Sequence, residues 1–278
     1  MAGIDLHAHT NESDGTLSPT EVVRLAVERD LDTVAITDHD TTSGLDEAAV
    51  AADEAGLALV PGIEFSAEYE GASLHVLAYW VDPEDEALRA ELQRLNDSRF
   101  RRGELMVQKL QDLGYPVAFE RVRDIAGGGL IARPHVAQAM VEAGIVPDEK
   151  TAFDRFISDD GPAAVPKHAL HPLDALALIE RAGGVCVLAH PGMWKGQGSV
   201  PDELIEAMAE GGMAGLEVDH PDHDEAQRAR YRKLAGRLGV AITGASDCHG
   251  ARYDPMRLGS ETTEPRQFEA LRAAAGRG

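Results

Sequence analysis

The sequence predicts an α/β fold, a distorted seven-stranded TIM-like barrel carrying a helical insertion. Seven short runs rich in Val, Ile and Leu recur at 3–9, 33–38, 58–65, 74–80, 185–190, 215–220 and 240–247. Apolar runs of this length read as strands buried on both faces. Helical patterns fall between several of them, and alternation of strand and helix implies a parallel sheet.

Taken in order, the first run carries His7-Ala8-His9 at its end. A helix then starts at Ser18, where Pro19 suits the first helical position and Glu21 completes a capping-box spacing. The second run is followed by Asp38-His39-Asp40, and the helix after it ends at Gly56, a usual helix-terminating residue. Glu64 closes the third run. His75 lies near the start of the fourth, out of step with the others, which suggests an irregular or antiparallel strand there. The rhythm then breaks: 85–113 reads as one long helix, followed by Gly/Pro-punctuated helical pieces and the flexible turn Gly127-Gly128-Gly129. Residues 92–165 are therefore assigned to a helical insertion in a barrel built from 1–91 and 166–278. Helices are expected again over 172–181, 201–210, 225–238 and 265–275, between runs that end on His190 and on Asp247-Cys248-His249.

A chain of 278 residues with 44% apolar content can bury one large core. No run approaches the roughly 18 apolar residues of a membrane span, and the chain opens without a basic signal-peptide start, so a cytoplasmic protein with no membrane contact is expected. Cys186 and Cys248 cannot build a disulfide framework; Cys248 is read as buried packing rather than a ligand. A formal charge of -22 argues against broad nucleic-acid binding. It leaves room for a small phosphorylated substrate or a nucleic-acid end, because screening over about 8 Å lets a site's own charges dominate. Neither a P-loop nor a GxGxxG fingerprint is present.

Nine potential metal ligands gather near the ends of the runs: His7, His9, Asp14, His39, Glu64, His75, His190, Asp247 and His249. Loops at the C-terminal ends of barrel strands converge on one mouth. The i, i+2 spacing of His7 and His9 puts both imidazoles on one face of a strand. Together they read as a polynuclear metal site.

The segments DLHAHTNESDGTLSP, AITDHDT, PGIEFSA, LHVLAY, ARPHVA, LAHPG and SDCHG resemble the PHP family, the polymerase-and-histidinol-phosphatase metal hydrolases. The likeness is nearest to the nucleotide phosphatase and exoribonuclease branch and covers nearly the whole chain. The resemblance implies three ions: one on His7, His9, Glu64 and Asp247, a second on Glu64, His75 and His190, a third on Asp14, His39 and His249. Mixed imidazole and carboxylate ligation suits manganese, favoured here, with iron or zinc as alternatives. Three divalent ions against three carboxylates leave about +3 in the pocket, by formal charge counting.

Substrate contacts are expected from the insertion and its return. Arg99 and Arg102 share a helix face at i, i+3. Arg133 and His135 match the family's ARPH, with Pro134 expected to hold Arg133 extended rather than helical. Lys167 can reach a phosphate or ribose, and His223 can line the mouth, with His220 a weaker candidate. Asp38 and Asp40 are read as orienting the His39 loop, and His168 and His171 as surface or capping residues.

The expected activity is hydrolysis of phosphate from nucleotides, either 3',5'-bisphosphonucleosides or the 5'-phosphorylated end of a short RNA or oligonucleotide, by metal-activated hydroxide. No stable protein partner is expected. A histidinol-phosphate phosphatase is the alternative within the family, and a non-catalytic metal-stabilised binding module the alternative outside it.

Overall fold

All seven apolar runs form strands. The computed structural model describes residues 3–194 and 198–277. Its strands are β1 (Gly3–Asp5), β2 (Leu31–Ile36), β3 (Ala58–Tyr69), β4 (Ala72–Tyr79), β5 (Val185–Leu188), β6 (Gly215–Asp219) and β7 (Ala241–Gly244). They lie side by side in chain order in one mostly parallel sheet.

The exception is β4, antiparallel to both β3 and β5. Only Glu70 and Gly71 separate β3 from β4, both at positive φ, and so short a loop can join only antiparallel neighbours. The odd position of His75 follows from this. An antiparallel strand begins where its parallel neighbours finish, so the early residues of β4 reach the same mouth.

Several strands stop short of the predicted runs. β1 ends at Asp5, β5 at Leu188 and β7 at Gly244, each just before its proposed ligands. Among the described residues β7 and β1 form no ladder. Their seam is held instead by an Ala8–Cys248 bridge, by His9 N–H donating to Cys248 O (2.9 Å), and by Thr263, whose N–H donates to Ile4 O (2.8 Å) while its hydroxyl donates to Gly244 O. Asp5 accepts N–H groups from both Ser246 (3.0 Å) and Gly259 (2.8 Å).

The helices are α1 (Pro19–Glu28), α2 (Leu45–Ala55), α3 (Glu86–Asp112), α4 (Phe119–Ile125), α5 (Arg133–Glu142), α6 (Glu149–Ala152), α7 (Pro172–Arg181), α8 (Asp202–Glu210), α9 (Glu225–Leu238) and α10 (Pro265–Ala274). Strand alternation sorts side chains into layers. On β4, Leu74, Val76 and Ala78 join the core shared with α7 and α8, whereas Leu77 and Tyr79 pack with Ile4, Leu6, Val60 and Val187 in a second, inner cluster. Ser73 and His75 share the parity of that inner face. They stand above an apolar floor.

The first half of α3 buries Leu88, Leu92 and Leu95 in the core beneath the sheet. Its second half belongs to a separate apolar cluster drawn from residues 106–165. Two expectations change within that region. Arg133 is the first residue of α5, not an extended one; the extended residue is Ala132, because a proline in the first turn loses only an N–H that would be unpaired anyway. Gly129 does more than permit a turn: a Cβ there would lie 2.4 Å from Asn11 O, so the loop packs against the β1–α1 connection, where Leu130 N–H donates to Glu12 O (3.0 Å).

Candidate metal centre

The nine proposed ligands converge at the mouth, seven of them lining a cavity of about 160 Å³ that also touches Ser73, Leu74 and Met193. Glu64 is its hub. One carboxylate oxygen, Oε2, lies 3.3, 3.1 and 3.0 Å from nitrogens of His7, His9 and His39. The other, Oε1, lies 2.9 Å from His75 Nδ1 and 3.0 Å from His190 Nε2. Asp247 Oδ1 faces His7 and His9 at 3.3 and 3.1 Å, and Asp14 Oδ1 faces His249 Nε2 at 3.3 Å.

Donor atoms therefore collect in three groups: His7, His9, Glu64 and Asp247; His9, Asp14, His39 and His249; and His39, Glu64 and His75. The first is the set the resemblance implied. In the second His9 joins the implied three, and in the third His39 takes the place of His190, which still sits 3.4 Å from His75 Nδ1. The backbone explains the position of His39, since Asp40 N–H donates to Glu64 O and Glu64 N–H to Asp38 O, extending the β2–β3 pairing past the end of β2.

The donor set fits divalent cations. His7 and His9 turn their Nε2 atoms to within 3.1 Å of each other, and buried His9 Nδ1, His39 Nδ1, Asp14 Oδ1 and Asp247 Oδ1 have no hydrogen-bond partner. Lone pairs so arranged suit a cation. Burial alone would push His7 and His9 down, but Glu64 and Asp247 overturn it, holding His7 well above the usual imidazole range and His9 up to about 10. Burial likewise opposes ionisation of Asp14, Glu64 and Asp247, yet the surrounding imidazoles hold all three well below the usual carboxylate range.

Beside this cavity lies a second of about 200 Å³, lined by Glu68, Arg102, Arg133, Asp159 and Lys167, with Ser73 common to both. Arg133 Nη1 donates to Asp159 Oδ1 (2.7 Å) and Arg102 Nε to Val165 O (2.8 Å), which fixes the two guanidinium planes. Lys167 Nζ donates to Ser66 Oγ (2.6 Å).

The other expected contacts take different places. Arg99 is buried, its Nε donating to Asp40 Oδ2 (2.6 Å) and its Nη2 to Ser66 Oγ (2.8 Å), so it braces the wall behind Lys167. His135 is buried and accepts Ala132 N–H through Nδ1 (3.2 Å); it lines neither cavity. His223 spends both ring nitrogens on backbone, Nδ1 on Val218 O (2.9 Å) and Nε2 on Gly192 N–H (3.0 Å), which leaves none for a substrate. Asp38 does hold its loop, accepting from Thr10 and Ser13, and His171 caps α7.

Sequence reasoning missed Glu217, Asp5 and Arg252. Glu217 and Asp5 are fully buried carboxylates inside apolar runs, a rare placement that is itself the signal. Arg252 Nε donates to Asp14 O (2.6 Å) and Nη1 to Glu149 (2.8 Å), tying a ligand-bearing loop to α6; nothing in its local sequence marks it.

The PHP domain model matches residues 5–115. The chain is 34% identical over 250 residues to a 3',5'-nucleoside bisphosphate phosphatase of Chromobacterium violaceum, covering 90% of this chain and 88% of that one. It is 32% identical over 245 residues to a 5'-3' exoribonuclease of Haemophilus influenzae, covering 88% and 89%. A Bifidobacterium adolescentis crystal structure assigned as a metal-dependent phosphoesterase superposes with a TM-score of 0.93 at 35% identity, covering 98% of this chain and 96% of that one. With clusters able to hold several metal ions at the mouth of such a fold, the chain belongs to the PHP family of metal-dependent phosphoesterases.

Proposed function

We propose that the enzyme removes a phosphate from 3',5'-bisphosphonucleosides, and acts through the same pocket on the 5'-phosphorylated end of a short RNA or oligonucleotide. The observation that carries this reading is the pair of adjoining cavities sharing Ser73, one rich in metal donors and the other lined by Arg102, Arg133 and Lys167. A substrate with two phosphates needs two such places. The names of the two relatives above point the same way.

His7, His9, Asp14, His39, Glu64, His75, His190, Asp247 and His249 would hold up to three ions, with manganese preferred over iron or zinc for this imidazole and carboxylate set. Bound ions supply Lewis-acid stabilisation of phosphate oxygens and a water of lowered pKa. Arg102 and Arg133 would grip the non-reacting phosphate, since guanidinium pairs with phosphate in bidentate fashion. Lys167, braced by Ser66 and Arg99, would add a point charge. No protein nucleophile is needed.

The seam contacts of Ala8, Cys248 and Thr263 support a sheet closed as a distorted TIM-like barrel. The separate apolar cluster of 106–165 supports treating 92–165 as a helical insertion between 1–91 and 166–278. Two buried unpaired cysteines suit a cytoplasmic setting, and no helix among the described residues is long and apolar enough to cross a membrane.

The test is a phosphate-release screen with manganese across a 3',5'-bisphosphonucleoside, a 5'-phosphorylated oligonucleotide, a mononucleotide and histidinol phosphate. The bisphosphonucleoside should give the highest kcat/KM, and His9→Ala and Asp247→Asn should each lose at least about a hundredfold, in line with removal of a group that organises the reacting centre. Preference for histidinol phosphate would overturn the substrate assignment. Inactivity on every phosphoester would favour a binding module.

A further inference from the structure

Glu217 sits in the middle of β6, between Leu216 and Val218, which pack outward into the apolar core. Alternation turns its carboxylate inward, where it is fully buried. Its two oxygens do separate jobs. Oε1 lies 3.1 Å from His7 Nδ1, and Oε2 accepts the backbone N–H of His190 at 2.7 Å. Both partners are proposed ligands, and they come from opposite parts of the chain.

The consequence for His7 is one of tautomer. With Nδ1–H donating to Glu217, the lone pair of a neutral ring must sit on Nε2, the atom that faces Glu64, Asp247 and His9. The consequence for His190 is one of backbone. His190 has φ +23, a region that non-glycine residues rarely occupy, and an accepted N–H at that residue holds the chain in it. His190 Nε2 is thereby aimed at Glu64 Oε1.

We propose that Glu217 is a positioning residue for the metal centre, presetting His7 through its ring and His190 through its backbone so that both present Nε2 to cations around Glu64. The inference rests on His7 and His190 being ligands, as proposed above. Glu217 itself contacts no donor cavity: it is absent from the lining of both.

The test compares wild type with Glu217→Gln, Glu217→Asp and His7→Ala. Glutamine offers one acceptor and one donor, so it can serve His7 or His190 but not both; aspartate keeps the charge on a shorter arm. Manganese and zinc affinities are measured by competition with a chelator, and the zinc-loaded proteins are followed by long-range ¹H–¹⁵N correlation of the imidazole rings. Either Glu217 variant should lose about 10- to 100-fold in affinity for at least one ion, and the His7 ring signals should shift while the circular dichroism stays that of wild type. Should Glu217→Gln fail to fold, Glu217→Asp carries the same comparison. Wild-type affinity and unmoved ring signals in a folded Glu217 variant would overturn the proposal. If His7→Ala also keeps every ion at full affinity, the ligand assignment fails with it; if His7→Ala loses an ion, only the role of Glu217 falls.

Discussion

His135 bonds the start of α5 and stands outside the lining of both cavities. Its place in ARPH suggested a substrate contact, yet burial pushes its ring down to about 4, and Nδ1 serves as an acceptor for Ala132 N–H at the start of α5. A folded-state pKa below the ordinary 6.5 means that the native protein takes the proton less readily than the unfolded chain. Stability from this group is therefore full above about 6.5 and is lost as pH falls toward 4. Between pH 7 and pH 5 the loss is about 2 kcal/mol. His135→Asn keeps an acceptor that does not titrate. Urea unfolding of the metal-free proteins at the two pH values should show wild type losing about 2 kcal/mol more than the variant; parallel losses would show that His135 does not titrate in this range. Arg99 makes a related point, since its charge was legible as functional but its burial against Asp40 was not.

At the scale of elements, long buried strands and capped helices could be placed from pattern alone, because periodicity and caps are local. The Ser18–Glu21 capping box and the Gly56 stop both form as the sequence indicates. What could not be read locally is where strands end and what spans between elements. β1 and β7 stop early because the chain leaves the ladder to carry His7, His9 and Asp247 into the mouth, and Thr263 fills the seam from a distant loop. Glu217 was hidden for the same reason, as its partners are 210 residues and 27 residues away. Gly129 was legible as a glycine but not as a contact. Because its Cβ would meet the backbone oxygens of Asn11 (2.4 Å) and Glu12 (3.0 Å), which no rotamer change can move, Gly129→Ala should cost about 1–3 kcal/mol in urea unfolding. An unchanged midpoint would mean that the loop at 127–130 and the β1–α1 connection separate freely.

Over the whole molecule, a chain of formal charge -22 is folded so that its mouth presents an imidazole-rich site beside an arginine and lysine pocket. Proton balance at that mouth makes a prediction about metal loading. Asp14, Glu64 and Asp247 are held well below the usual carboxylate range, so they are already ionised at neutral pH and have no proton to release. Burial holds His39 well below the usual imidazole range and His75 down to about 4, so both are neutral. His7, His9 and His190 differ: burial opposes their charge, but neighbouring carboxylates raise all three, His9 to about 10. Raised imidazoles stabilise the metal-free fold fully below about 6.5, and that contribution is lost as pH rises through their folded pKa values. A ligating imidazole must be neutral, so a cation has to displace these protons. Calorimetric titration of chelator-treated protein with manganese at pH 7, repeated in buffers of different ionisation enthalpy, should report net proton release, that of His9 included, and affinity should rise with pH. The loaded protein should also unfold at higher temperature, since an ion at a hundredfold its Kd adds about 2.7 kcal/mol. Binding without proton release would mean that the cations sit elsewhere than on His7, His9 and His190.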